Sequence, residues 1–259
     1  MEPSKKRARE EKVYIAVHKP VGCVSSAKRQ HDGKTIYELL ATFNFDFEKV
    51  GLCGRLDADT SGIMLFTNDS AMQRALLTPD DAEADTKKEC EDKEDREGKK
   101  ENREEGKKAS WKEYHLTVLA SPHRKWGTEW DENMEKALVE ELSVPLEFSF
   151  KGKRHLTKAA ELKVLNRFRS EEHAHGSRGP LGQDLGWCAT LSVILREGKH
   201  HQIRRICSRS RLQVLSLKRV SFAGGLISIE DPTLAQPGSA RYLKEEEVDQ
   251  LKSHLLESH

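Results

Sequence analysis

Apolar and polar residues alternate along several short segments, and this two-residue period predicts β-strands. The alternation is regular over Lys112–Ala120, where Tyr114, Leu116 and Val118 fall on one face, and over Leu212–Phe222. Shorter strands are predicted at residues 13–18, 63–67, 160–165 and 189–195. A Gly224-Gly225 pair ends the last strand, since glycine is a strand breaker.

Helices are predicted where apolar residues recur every three or four positions. The segments with this spacing are 35–43, 71–77, 129–142, 200–208 and Glu245–Leu256. Predicted strands outnumber helices, and no strand–helix–strand repeat is present. The chain is therefore expected to be α+β, with a mixed, mainly antiparallel sheet and flanking helices.

Composition divides the 259 residues into a core and charged segments. Residues 80–108 hold 13 acidic and 9 basic residues and no large apolar side chain, so they are predicted to be a disordered insertion. Residues 167–186 are predicted to be a second loop. Residues 1–12 are predicted to be a disordered basic N-terminus, ahead of one catalytic domain at 13–257.

The cysteines and the hydropathy indicate the compartment. Five scattered cysteines form no CxxC pair, and no run of 18 apolar residues is present. We expect a soluble intracellular protein, with no membrane association and no bound metal. The basic run at residues 5–9 is compatible with a nuclear address or an RNA-binding arm, so the cytoplasm, the nucleus and an organelle all stay open.

The net charge of +1 is the sum of acidic and basic segments that are unevenly distributed along the chain. Because residues 80–108 and the C-terminal segment are acidic, the remainder is net positive. This net positive remainder could bind a polyanionic partner, although an ordinary solvated surface of mixed charge explains the same composition.

A turn rich in polar residues precedes the predicted strand at 63–67. Residues 54–62 read GRLDADTSG, with Asp57 and Asp59 two positions apart. A turn held by a rigid strand can position a catalytic carboxylate in a cleft. The same residue types also simply form turns, so this segment alone leaves both interpretations open.

A second polar segment joins a strand to a helix. Residues 196–206 read REGKHHQIRRI, and residues 196–219 contain eight basic residues and one acidic residue. Ile203 and Ile206 are expected to face the core, with Gln202, Arg205 and Arg209 near another face. Arginines and helix N-termini bind phosphates, whereas the alternative is a solvated basic helix.

Taken in order, these motifs resemble those of bacterial ribosomal pseudouridine synthases of the RsuA type. The matching segments read KPVG at 19–22, GRLDADTSG at 54–62, KEY at 112–114, EGKHHQIRR at 197–205 and LKR at 217–219. The resemblance spans roughly residues 13–250. It departs from the family in the charged insertion and in the absence of an S4-type RNA-binding domain before the first strand.

The resemblance implies specific roles. Asp57 matches the essential aspartate, Tyr114 the tyrosine beside the target base, and Arg204 the arginine that pairs with the aspartate. Leu217, or alternatively Leu215, matches the apolar residue that lines the pocket. The further candidates for substrate binding are Arg55, Lys199, His201, Gln202 and Arg205.

The implied activity is isomerisation of a specific uridine to pseudouridine in structured RNA, without cofactor or metal. Ribosomal RNA is the preferred target over transfer RNA, and a monomer is expected. A non-catalytic RNA-binding protein is the main alternative. A metal-dependent glycosyltransferase that uses Asp57 and Asp59 as a DxD site is a more remote one.

Overall fold

The computed structural model describes residues 11–26, 34–43, 50–77, 111–120, 126, 130–169 and 186–256. The predicted basic N-terminus up to residue 10, the charged insertion at 80–108 and residues 170–185 of the second loop lie outside the described residues.

More of the described residues lie in strands than in helices. The strands are β1 (Tyr14–Lys19), β2 (Gly51–Leu52), β3 (Ser61–Thr67), β4 (Lys112–Ala120), β5 (Glu147–Phe150), β6 (Lys153–Leu156), β7 (Glu161–Arg169), β8 (Trp187–Leu195), β9 (Leu212–Phe222), β10 (Ile227–Ser228) and β11 (Ala240–Tyr242). The helices are α1 (Ile36–Leu40), α2 (Ser70–Leu76), α3 (Glu132–Ser143), α4 (Gln202–Arg209) and α5 (Glu245–Leu256).

One mixed sheet organises the fold, with strand order β11-β1-β3-β9-β4-β8-β7. β2 extends it beside β3 and β10 beside β9, while β5 and β6 form a separate two-stranded hairpin. The β3–β9 pair is parallel, through Ser61 with Lys218 and Gly62 with Arg219. The other pairs are antiparallel. The predicted α+β class with a mainly antiparallel sheet is confirmed.

Helices cover both faces of the sheet, so the protein has an apolar cluster on each side. Alternate side chains of β1 pack into the two clusters. Ile15 and Val17 belong to one apolar cluster, whereas Tyr14 and Ala16 belong to the other. The first cluster includes buried residues of α1, α3 and α4, and the second includes those of α2 and α5. Because both faces are covered, β1 and β3 are buried along their whole length.

The central strands β4 and β9 match their predicted bounds. Side chains of β4 alternate between buried and partly exposed positions, with Tyr114, Leu116 and Val118 on the buried face. In the β4–β9 register, Leu116 lies opposite Leu217 and Tyr114 opposite Arg219. The parallel contact brings the turn before β3 close to these residues.

The structure corrects two predicted boundaries and adds a hairpin. β7 continues to Arg169, so residues 167–169 belong to a strand rather than to the second loop. α4 begins at Gln202 because His201 adopts a left-handed conformation, with φ of 53°, that a helix interior does not allow. The hairpin β5–β6 was not predicted at all.

Candidate active site

The turn that carries Asp57 is fixed on both sides by the segment after β1. The Ser25 hydroxyl donates to the Leu56 carbonyl oxygen at 2.7 Å and accepts from the Leu56 amide at 3.2 Å. The Gly22 amide donates to the Ala58 carbonyl oxygen at 2.7 Å. Within the turn, the Thr60 amide donates to the Asp57 carbonyl oxygen at 3.1 Å. The backbone at Asp57 is therefore held at each neighbouring residue.

Lys19 is buried beneath this turn, and its ammonium group binds backbone oxygens. Its Nζ donates to the carbonyl oxygens of Cys23 at 2.7 Å, Pro20 at 3.0 Å and Ala58 at 3.4 Å. Burial lowers the pKa of Lys19 to about 8, although the nearby carboxylates of Asp57 and Asp59 favour its charged form. Lys19 thus links the KPVG segment to the Asp57 turn.

The Asp57 carboxylate faces the loop that precedes α4. Its Oδ1 lies 3.4 Å from Nε2 of His201, and 36% of its side chain is exposed. The carboxylate is therefore accessible to a ligand while its backbone is fixed. Of the predicted substrate-binding residues, His201 is the one that lies against Asp57.

Arg204 does not make the ion pair that the resemblance implied. Its Nη2 lies 2.9 Å from Oδ2 of Asp59 and 3.4 Å from the Asp59 carbonyl oxygen, rather than on the Asp57 carboxylate. α4 directs Arg204 toward the outer end of the turn, where the Asp59 side chain is 63% exposed. The arginine therefore acts on the aspartate turn, but through the second carboxylate.

Glu197, which sequence reasoning did not single out, organises the loop before α4. Its buried carboxylate accepts from Gln202 Nε2 at 2.8 Å and lies 3.6 Å from Lys199 Nζ. Gln202 is 3% exposed, so it does not share the solvent-facing surface expected for it beside Arg205 and Arg209. A single acidic residue within a basic segment was the signal that could have identified Glu197.

Several basic side chains of residues 196–219 have structural partners. Arg209 donates to the carbonyl oxygens of Glu141, Val144 and Pro145 at the end of α3. Arg219 is 1% exposed and donates through Nε to the Ile63 carbonyl oxygen at 2.7 Å. Arg209 and Arg219 therefore stabilise the fold, and only part of this basic segment is available to bind phosphate.

A cavity of about 500 Å³ opens beside Asp57. Tyr114 and Leu217, which are 8% and 6% exposed, supply apolar surface to its wall. Leu215 is 48% exposed, and of the two leucines Leu217 is the one that lines the cavity. The remaining predicted site residues in the wall are Arg55, Lys199, His201, Gln202 and Arg204.

The hairpin β5–β6 supplies another part of the cavity wall. Its contribution consists of two aromatic rings, an imidazole and two lysines: Phe148, Phe150, His155, Lys151 and Lys153. The aromatic and imidazole rings of this hairpin were not predicted from the sequence as site residues. A cavity of this size with apolar rings, cations and a single carboxylate suits a nucleotide.

In the described part of the chain, no helix is long and apolar enough to cross a membrane. No group of three or more His, Cys, Asp or Glu side chains there is arranged to hold a metal ion.

Residues 13–209 match the family described as RNA pseudouridylate synthase. Ribosomal small subunit pseudouridine synthase A of Vibrio cholerae is 25% identical over 235 residues, which cover 91% of this chain and 72% of that protein. The uncharacterized RNA pseudouridine synthase YtzG of Bacillus subtilis is 27% identical over 244 residues, with coverages of 94% and 73%.

A crystal structure of a pseudouridylate synthase shares the fold. Its TM-score is 0.55 at 23% identity, over 94% of this chain and 75% of that one. Together with the family match, this agreement confirms the resemblance to RsuA-type pseudouridine synthases inferred from the motifs. The chain belongs to the RNA pseudouridylate synthase family and is an RNA-modifying isomerase.

Proposed function

We propose that this enzyme converts a specific uridine of ribosomal RNA to pseudouridine, with Asp57 as the catalytic carboxylate. The observation that carries the proposal is the position of Asp57. Its carboxylate is accessible beside a nucleotide-sized cavity lined by Tyr114 and Leu217, while its backbone is held by Ser25 and Gly22. A fixed backbone and an exposed carboxylate are what a preorganised nucleophile or base requires.

The reaction rearranges bonds without adding atoms. The bond from uracil N1 to ribose C1′ breaks, the base rotates, and a bond from C5 to C1′ forms. C5 loses a proton and N1 gains one, so the product is an isomer of the substrate and no co-reactant is consumed. Asp57 would act in its ionised form, by attack on C1′, by addition to uracil C6 or by removal of a proton from C2′.

Access to the base requires its extrusion from folded RNA. Tyr114 would stack beside the flipped ring, a contact worth about 1–3 kcal/mol per base. Leu217 would cover apolar surface of the nucleotide. Arg55, which borders the cavity, and Arg205, which lies next to residues that do, are cations placed to hold neighbouring phosphates. Lys199 also lines the cavity, but its ammonium group is paired with Glu197.

Ribosomal RNA is proposed as the substrate class from the relatives. Proteins named ribosomal small subunit pseudouridine synthase A recur among the relatives that align over most of this chain. The basic surface of the cavity is compatible with any structured RNA, so the substrate class needs a direct test.

The test is release of tritium from RNA transcripts labelled at uridine C5, since the C5 proton is lost in the isomerisation. Unmodified small-subunit, large-subunit and transfer RNA transcripts are compared with wild-type protein and Asp57→Asn, each with and without chelator. Release from a ribosomal transcript by the wild type alone supports the proposal. Absence of release with retained binding would favour a non-catalytic RNA-binding protein, and loss of release in chelator would indicate a metal.

A further inference from the structure

Three stacked rings lead from Asp57 toward the hairpin β5–β6. The ring centroids of His201 and His200 are 3.9 Å apart with planes at 11°, and those of His200 and Phe150 are 4.2 Å apart with planes at 14°. We call Phe150, His200 and His201 the ring column. These spacings are close to the repeat of about 3.4 Å between successive bases of a nucleic-acid strand.

The ring column lies at the cavity and reaches Asp57 through His201. All three of its members line the cavity, and both histidine residues are exposed. Partial desolvation of the stacked ring, and secondarily the charge of His201, lower the pKa of His200 and so favour its neutral ring. His200 is sandwiched between its two neighbours, so the π-surface open to a ligand is the outer face of each terminal ring, Phe150 and His201. Such a face can stack with any nucleobase irrespective of its sequence.

Cations surround the ring column. Lys151 Nζ lies 5.3 Å from the Phe150 ring centroid, and the Arg205 guanidinium lies 4.5 Å from the Phe148 centroid and 5.8 Å from that of Phe150. Lys151 is exposed at the hairpin turn and lines the cavity. Rings flanked by positive charge match an unpaired nucleotide, which has a π-face and an adjoining phosphate.

We propose that the ring column is a stacking surface for an unpaired base next to the target uridine, with Lys151 beside its phosphate. This inference rests on the proposed function, because Asp57 defines where the target nucleotide sits. A base that stacks there would hold the strand open next to the flipped uridine. The hairpin is accordingly assigned to substrate positioning rather than to the chemical step.

The experiment compares two probes that differ in bases but not in charge. Fluorescein-labelled octauridylate and an abasic ribose-phosphate octamer are titrated with the full-length protein, with fluorescence anisotropy as the readout. The measured quantity is the base preference, which is the Kd for the abasic probe divided by that for octauridylate. The variants are Phe150→Leu, Phe150→Tyr and Leu156→Ala, the last an exposed apolar residue of the same hairpin that does not line the cavity.

Phe150→Leu is expected to reduce the base preference by at least about fivefold, with little change in abasic affinity. Phe150→Tyr, which keeps a ring, and Leu156→Ala should keep the wild-type preference. An unchanged preference in Phe150→Leu would overturn the proposal, as would equal losses for both probes or a loss in Phe150→Tyr. The circular dichroism and Tm of each variant verify its folding.

The tritium assay separates this inference from the proposed function. Isomerase activity without a ring-dependent base preference would reject the stacking surface and leave catalysis by Asp57 standing. A ring-dependent preference in a protein that releases no tritium would support the stacking surface and reject the catalytic proposal.

Discussion

Gly62 lies against Arg219 where β3 and β9 pair in parallel, and the contact leaves no space for a side chain on Gly62. A Cβ atom there would overlap the backbone of Arg219, and the φ of +124° is itself one that other residues rarely adopt. The closeness of the two strands sets the distance between the Asp57 turn before β3 and Leu217 on β9. The geometry of the proposed active site therefore depends on this glycine.

Gly62→Ala is expected to lower the free energy of unfolding by about 3 kcal/mol or more, because backbone overlap cannot be relieved by a rotamer change. Urea denaturation measures the loss. Gly22→Ala is the matched control: Gly22 also has a positive φ, +82°, but nothing lies within 4 Å of its would-be Cβ. That variant should lose only about 1–2 kcal/mol, and equal losses would contradict the steric argument.

Asp57→Asn should abolish tritium release, to below about a hundredth of wild type, because an amide is neither nucleophile nor base. RNA affinity should stay within a few-fold, as shape and backbone contacts are kept. Asp59→Asn should retain more activity, since it removes the ion pair to Arg204 without touching the proposed catalytic group. Activity of Asp57→Asn comparable to that of Asp59→Asn would reassign the catalytic residue.

Arg204→Ala should lower kcat at least tenfold while the Kd for RNA changes little, because Arg204 bonds to the turn that carries Asp57. Arg205→Ala is the neighbouring comparison. Its guanidinium lies over Phe148 near the hairpin, so its loss should weaken binding and reduce the salt slope of log Kd by about 1. If the kcat defect appears only in Arg205→Ala, the assignment of the arginine is wrong by one position.

Titration of Lys19 should make activity fall above about pH 8. Its folded-state pKa of about 8 lies below the ordinary value of 10.5, so the folded protein loses the proton first. The neutral amine has one donor fewer for the three carbonyl oxygens that it binds, and the Asp57 turn loosens. The ratio of kcat for wild type to that for Lys19→Met should therefore be large at pH 7 and shrink by pH 9.5.

The contribution of Lys19 to stability depends on pH in the opposite direction to its contribution to activity. Between about pH 8 and 10.5 the unfolded chain binds the extra proton, so this contribution increases with pH and is lost as pH falls toward 8. Urea denaturation at several pH values should show the free energy of unfolding of wild type rising relative to Lys19→Met across this window. A pH-independent difference would show that Lys19 keeps an ordinary pKa.

Strands with strict alternation were predictable to the residue. β4 alternates between buried and partly exposed positions along its whole length, so a two-residue period marks it. β9 alternates only in part, because Arg219–Phe222 are all buried, and its end is marked by Gly224-Gly225. The order of the motifs likewise identified Asp57, Tyr114 and Leu217, which the fold brings to one cavity. The roles of these side chains in catalysis stay predictions.

The hairpin was missed because its signals are weak. Each strand has four residues, and the turn between them is Lys151-Gly152, with φ of 49° and 77°, instead of the commoner Asn-Gly. The partner of Arg204 was missed for another reason. The order of the motifs predicts which segments come together in the fold. Whether Arg204 pairs with Asp57 or with Asp59 depends on how the turn orients these two carboxylates, and the sequence does not show that orientation.

The hairpin that walls the cavity is attached to the domain at its base. Thr157 and Leu146 exchange two hydrogen bonds there, from the Leu146 amide to Oγ1 at 2.8 Å and from the Thr157 amide to the Leu146 carbonyl oxygen at 2.9 Å. β5 and β6 pair only with each other among the described strands. A hairpin of different length could be joined at the same two hydrogen bonds, but it would keep its place beside Asp57 only if it also supplied a ring against His200. Variation in the length and sequence of this hairpin is therefore a route by which the enzyme could be redirected to other RNA sequences.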